Sequence, residues 1–462
     1  MSRRSLRRRS PARLKGGFGL AALASVTVLT LAACGGSSSS SSPGTGSTST
    51  SSVGSTTSGS IVWSASPLSG TGANDARTVL INAFEKQYPN IKVTLVSAPT
   101  DTDTNRATLA TQIAGGATTP DVFMGDVIWP AQFGAHQLAV PLSSYLPSSY
   151  WSRFATGLVA GATYKGQVYG SPLFEDQGFL FYRKDLLSKD KLPVPTTWEQ
   201  LESDAKAVLA KGQAKYGFVW QGDSYEGLTC NFMEYLTDAG GTATNSGYTQ
   251  ATLNSAAALK AVTFMRSLVT SGVTPAAVTT FQEPQAMNTF GGGNAVFIRN
   301  WDYAYSTSIT PADGGKLTAS QVGVEPLPTF AGQPTPGYSN IGGWNMYINP
   351  HSKHLGADLT FIQWLSSTAG QDILSQKYGF ISTLTAVRSS PAVVSSNPVF
   401  AIVPKTKLVP RPAGTPQYPA LSTAIYTNVN AALAGSSSPA AAVAAMQSAA
   451  NAALSSTSNG GL

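Results

Sequence analysis

The side chains of this 462-residue chain that could do covalent chemistry are few and poorly spaced for it. Glu175 and Asp176 are adjacent, and adjacent side chains on a strand point to opposite faces. Glycoside hydrolysis asks for two carboxyls about 5–10 Å apart flanking one bond. Asp126 and Asp176 could meet across a cleft, but the hydroxyl-binding carboxylates of a receptor would meet in the same way. No G-x-S-x-G elbow and no catalytic Cys/His pairing occurs. The three histidines, His136, His351 and His354, do not assemble a structural zinc cluster with Cys34 and Cys230, and no metal or other cofactor is expected. Gly291-Gly292-Gly293 and Ile341-Gly342-Gly343-Trp344 lack the spacing of a phosphate-cradling loop.

The elements that must position any site are legible in the first third of the chain. Ile61-Val62-Trp63 reads as a short apolar strand. Leu80, Phe84 and Tyr88 then recur at helical spacing, and Pro89-Asn90 stops that helix. Ile91, Val93 and Leu95 alternate with polar residues as a second strand. A helix from about Asn105 to Ala114 is closed by Gly115-Gly116, and Asp121 to Met124 is a third strand. Strands alternating with helices predict an α/β fold with a parallel sheet covered on both faces, and ligands of such sheets bind at the carboxyl ends of strands. Further helices are predicted over 197–210, with Thr197 and Gln200 as a capping box, over 358–366, and over 439–453. A single core stops growing at about 250–300 residues, so two lobes are expected.

The formal charge of +7 invites nucleic acid or anionic membrane as partner. Seven of the 30 basic residues, however, precede Cys34: Arg3, Arg4, Arg7, Arg8, Arg9, Arg13 and Lys15. The remaining 23 balance 23 acids, which removes the case for nucleic acid. The Arg-rich start, the apolar run from Phe18 to Ala33 and the small residues before Cys34 form a secretory signal over 1–33, too short for a bilayer-spanning helix. Leu31-Ala32-Ala33-Cys34-Gly35 resembles a lipobox, which implies a lipid-modified Cys34. Ser2-Arg3-Arg4-Ser5-Leu6 fits either a twin-arginine or an Arg-rich Sec signal. From Gly35 to Ser60 the chain is nearly all Ser, Gly and Thr, a flexible tether spanning roughly 25–30 Å. Cys230 reads as a buried small hydrophobe.

Six segments in order resemble family 1 extracellular solute-binding proteins of ABC sugar importers, and more closely their trehalose/maltose-binding branch. They are PDVFMGDVIWPAQFGAHQLAVPL from Pro120, YKGQVYGSPLFEDQGFLFYRKDLL from Tyr164, FVWQGDSYEGLTCNFMEYL from Phe218, AVFIRNWDYAY from Ala295, GGWNMYINPHSKH from Gly342 and PRPAGTPQYPALS from Pro410. The resemblance implies a two-lobe, type II periplasmic-binding-protein-like fold with a ligand cleft between lobes. An N-terminal lobe would take 61–174 and 327–378 and a C-terminal lobe 175–326 and 379–455, behind an anchor and tether over 34–60. It implies a monomeric receptor on the outer face of the cytoplasmic membrane that hands a sugar, a disaccharide of the trehalose or maltose type, to the permease subunits of an importer without reacting on it. An exported glycoside hydrolase and a receptor serving a signalling system are the alternatives.

Residue by residue, the resemblance implies hydroxyl acceptors at Asp126 and Asp176 and donors at Arg106 and Arg411. Trp301, Tyr303 and Trp344 behind Gly343 would stack on sugar faces. Glu226 would bind ligand or pair with a cation in the second lobe. Read without the resemblance, Asp126 is a turn or cap residue, Trp301 and Trp344 fit a core, and Arg411 packs on the surface. Phe174 stands where relatives often have Tyr, and the loop from Ser66 to Asp75 has no counterpart of the relatives' acidic sugar ligand.

Overall fold

The computed structural model describes residues 57–456. Cys34, the signal segment and most of the tether lie outside them. Three strands open the fold in the order read from the sequence: β1 (Gly59–Ala65), β2 (Ile91–Ser97) and β3 (Val122–Asp126), with α1 (Ala76–Gln87) and α2 (Thr102–Ala114) as crossovers. The apolar alternation of β2 buries Ile91 and Val93 and leaves Lys92 and Thr94 exposed. Helix α2 begins at Thr102 rather than near Asn105, because Asp101 caps it by accepting from Thr104 N at 2.7 Å. That polar first turn carries no apolar periodicity and is invisible to it.

The remaining strands of the sheet are β4 (Ser171–Arg183), β5 (Tyr216–Val219), β6 (Ala295–Trp301), β7 (Val322–Glu325), β8 (Tyr338–Ile348) and β9 (Lys407–Val409), of which β4 and β8 are long. They form one sheet in the order β2-β1-β3-β8-β4-β6-β5, with β7 on β4 and β9 on β8. The all-parallel expectation holds for β1, β2 and β3. The sheet is mixed, because β8 returns from late in the chain and inserts antiparallel between β3 and β4. Short-range patterning does not see such a return.

Strand β4 changes partners in its middle. Up to Gln177 it pairs with β8, and from Gly178 onward with β6 and β7. One continuous strand thereby joins the two halves of the molecule. Two large apolar clusters pack against the sheet. One holds Trp63, which meets Phe361 edge to face at 5.2 Å; the other holds Trp198, 4.5 Å from Tyr235. Helix α3 (Trp198–Ala210) starts on Thr197, whose hydroxyl accepts from Gln200 N at 3.1 Å. The reciprocal arm of the expected capping box is displaced by one residue, since Gln200 Oε1 accepts from Thr196 N instead.

Candidate functional site

A cavity of about 430 Å³ opens at the carboxyl end of β3 and beside the partner exchange of β4. Its wall contains Asp126, Asp176, Glu226, Trp301, Tyr303, Gly343, Trp344 and Arg411, eight of the nine residues singled out in the sequence. The ninth, Arg106, is on α2 outside the wall, and its Nη1 donates to Gln132 Oε1 at 3.2 Å. Asp126 ends β3, and Trp344 is its register partner on β8. Gly343 holds φ at +115°, and a Cβ there would fall 2.5 Å from the Phe174 carbonyl oxygen. Only glycine lets the two strands approach this closely while turning Trp344 toward the cavity.

One end of the cavity is ionic. Arg411 donates through Nη2 to Asp126 Oδ1 at 2.7 Å and through Nη1 to Asp126 Oδ2 at 3.2 Å and Glu226 Oε1 at 3.0 Å. Arg411 is therefore buried between two acids rather than packed on the surface. Glu226 heads α4 (Glu226–Asp238), accepts from the Tyr418 hydroxyl and takes Ser422 Oγ at 2.6 Å. Burial lifts Glu226 above the usual carboxylate range despite Arg411 beside it. Asp103 Oδ2 accepts from Glu226 N at 3.2 Å, and burial with the Glu226 charge pushes Asp103 up to about 7.

Elsewhere the wall is aromatic. Trp301 ends β6 and is 7% exposed; the Arg299 guanidinium lies 4.0 Å from its ring centroid. Its indole N–H donates to Glu283 Oε1 at 3.2 Å, while Glu283 Oε2 accepts from the Tyr225 hydroxyl at 2.8 Å. Glu283 is the first residue of α5 (Glu283–Gly291). Trp344 is half-buried, with Trp129 edge-on at 6.5 Å. A Cβ on Gly342 would sit 3.1 Å from Trp301 and 3.2 Å from Asp176, so the missing side chain is what lets acid and indole lie side by side. Phe174 faces the cavity and packs on Phe380 at 4.4 Å.

Glu283 and Tyr225 line this site without having been singled out in the sequence, and Asp302 lies behind its wall, outside the lining, between Trp301 and Tyr303. Tyr225 and Asp302 lie inside the SYEGL and NWDY stretches, next to the site residues Glu226, Trp301 and Tyr303. Glu283 carried no signal beyond the Pro284 that follows it. Segment 66–71 lines the cavity with no acid, and Asp75 is bound to Arg77 at 2.5 Å. The site can hold a polyhydroxylated molecule by hydrogen bonds and stacking; among the described residues no group of three or more metal-ligating side chains could hold a metal.

The pattern of bacterial extracellular solute-binding proteins matches residues 70–372. A probable ABC transporter-binding protein of Deinococcus radiodurans is 31% identical over 368 residues, 78% of this chain and 85% of that one. Maltose-bound MalE3 of T. maritima superposes with a TM-score of 0.75 at 32% identity, covering 84% of this chain and 98% of that one. The GacH receptor of Streptomyces glaucescens, solved unliganded and with acarbose, gives 0.75 at 26% identity over 86% and 98%. The architecture is thus the two-lobe, mixed α/β, maltose-binding-like one. With the pattern, the relative and the fold in agreement, the chain belongs to the bacterial extracellular solute-binding protein family.

Proposed function

We propose that this protein is the sugar receptor of an ABC importer, that it binds a disaccharide of the maltose or trehalose type in the cavity, and that it passes the sugar unaltered to the permease. The observation that carries the reading is the composition of the cavity wall. Two acids and an arginine at one end and three aromatic rings around the rest suit the paired hydroxyls and apolar C–H faces of a sugar. Hydrogen bonds to charged groups contribute roughly 1.5–3 kcal/mol each, so three of them with two stacked rings reach the ~8 kcal/mol of micromolar binding. Maltose bound to the T. maritima relative supports this ligand class.

A receptor fits better than a hydrolase. Asp126 is engaged on both oxygens by Arg411, and Asp176 lies within hydrogen-bonding reach of Asp302, too close for the two to flank a glycosidic bond. In this reading the lobes are 61–174 with 327–378 and 175–326 with 379–455, and they close on the ligand as a monomer. Cys34 carries the lipid and 35–60 the tether, which holds the receptor at the outer face of the membrane. Among the described residues no helix is long and apolar enough to cross a membrane.

The test is a thermal-shift and calorimetric screen of the purified protein against maltose, trehalose, mannitol and monosaccharides. Ligand that binds only the folded state must raise its apparent stability. Maltose or trehalose should do so at micromolar concentration with no monosaccharide released. A screen in which no sugar shifts the transition overturns the reading.

A further inference from the structure

Asp176 and Asp302 are two buried carboxyls with no counter-cation. Asp176 is 4% exposed, on β4, in the cavity wall; Asp302 is 0% exposed and follows β6 directly, between the wall residues Trp301 and Tyr303. Asp302 Oδ2 accepts from Ile381 N at 2.9 Å. Its Oδ1 has no donor, and neither has Asp176 Oδ1. Each side chain is within hydrogen-bonding reach of the other. None of the ion pairs among the described residues includes either one.

The other charges that face the pair come from each neighbouring element. Asp126 on β3 and Glu283 on α5 repel Asp176, and Glu175 on β4 repels Asp302. The nearby cations are committed elsewhere: Arg411 to Asp126 and Glu226, Arg388 to Glu175, Arg299 to Glu234. Two carboxylates side by side in such surroundings cannot both stay ionised. A proton between them leaves one negative charge in place of two.

We propose that Asp176 and Asp302 hold one proton between their carboxyls, that Asp176 Oδ2 is left to accept a hydroxyl of the bound sugar, and that Asp302, behind the wall, is a positioning residue that keeps this proton in place. The proposal rests on the sugar-receptor reading of the cavity. Its consequence is proton-linked binding. A ligand that covers the pair further excludes water and favours the singly charged form, so affinity falls as pH rises and the shared proton is lost. Burial, followed by the repulsion of Asp302, holds Asp176 well above the usual carboxylate range, and burial pushes Asp302 up to about 7, which sets the window above neutral pH.

Calorimetry of the purified protein with maltose from pH 6 to 9 tests this. Affinity should fall by up to about tenfold per pH unit above neutral, as one linked proton requires, and titration in two buffers of different ionisation enthalpy should show proton uptake at pH 8. Asp302→Asn supplies a permanent N–H in place of the proton. It should keep affinity within about threefold of wild type at pH 6 and flatten the profile. A wild-type affinity constant across the range without proton uptake, or an Asp302→Asn profile as steep as wild type, overturns the proposal. Should wild type bind no sugar, the receptor reading fails, and the proton is then read from thermal unfolding. The midpoint should drop less steeply from pH 5 to 9 in Asp302→Asn than in wild type, and equal slopes refute the shared proton.

Discussion

Trp344 and Asp126 face each other across the antiparallel ladder of β3 and β8, so an indole and a carboxylate reach the cavity from adjacent strands. An acid beside a ring edge suits a sugar that offers a hydroxyl and a C–H face together. Trp344 is half-buried, and Trp344→Ala should weaken maltose binding roughly tenfold or more, at about 1 kcal/mol or less of stability. Trp301 is different. With 7% exposure and Arg299 against its ring, Trp301→Ala should also cost about 3–5 kcal/mol of stability. Calorimetry and chemical denaturation of the two variants separate the effects; equal losses of stability would place both rings in the core.

Arg411 neutralises two acids at once, and removing it strands both in the interior. Arg411→Ala should cost about 3–5 kcal/mol at pH 7. Glu226 without its cation holds a proton more firmly in the folded than in the unfolded chain, so stability should partly return as pH falls to 5. Urea unfolding at the two pH values checks both the loss and its recovery.

Glu283 holds Trp301 and Tyr225 from one carboxylate. Glu283→Ala should broaden the indole N–H resonance of Trp301 and lower maltose affinity about five- to tenfold. Glu283→Gln keeps an oxygen for the indole and should restore most of both. Unchanged affinity in the alanine variant would make Glu283 a surface residue.

Asp103, Asp238, Asp302 and Asp358 are each pushed up to about 7, burial being the largest cause in every case. Between about pH 4 and 7 the folded chain therefore binds more protons than the unfolded chain, and stability falls as pH rises through that window. Denaturation at pH 5 and pH 8 should find the protein more stable at pH 5. The opposite order contradicts these assignments.

Cys34→Ala should leave cells with unprocessed or unlipidated protein. Processed, lipid-labelled protein after that change would remove the anchor from the proposed function.

The elements legible in the sequence were those written in short-range pattern: β1, α1, β2 and β3 follow from apolar spacing and from Pro89-Asn90. The insertion of β8 was not legible, because strand order within a sheet is decided by pairing between distant segments. The same holds for the site. Arg411 and Asp126 are 285 residues apart in the chain, and neither residue type nor spacing says that one neutralises the other. Asp302 was hidden for a related reason, since it sits between two wall aromatics yet points to a partner 126 positions earlier, Asp176.

The exchange of partners within β4 bears on how the protein meets proteases. Most two-lobed proteins are cut first at an exposed linker, which frees one lobe to unfold alone. Here the stretch from Ser171 to Gly178 is buried and paired wherever it passes from one half of the sheet to the other. A protease reaches that backbone only after the sheet has opened, so a cut in the exposed loop 331–335 should leave the two halves joined through β4, and cleavage within β4 itself should follow unfolding of the sheet.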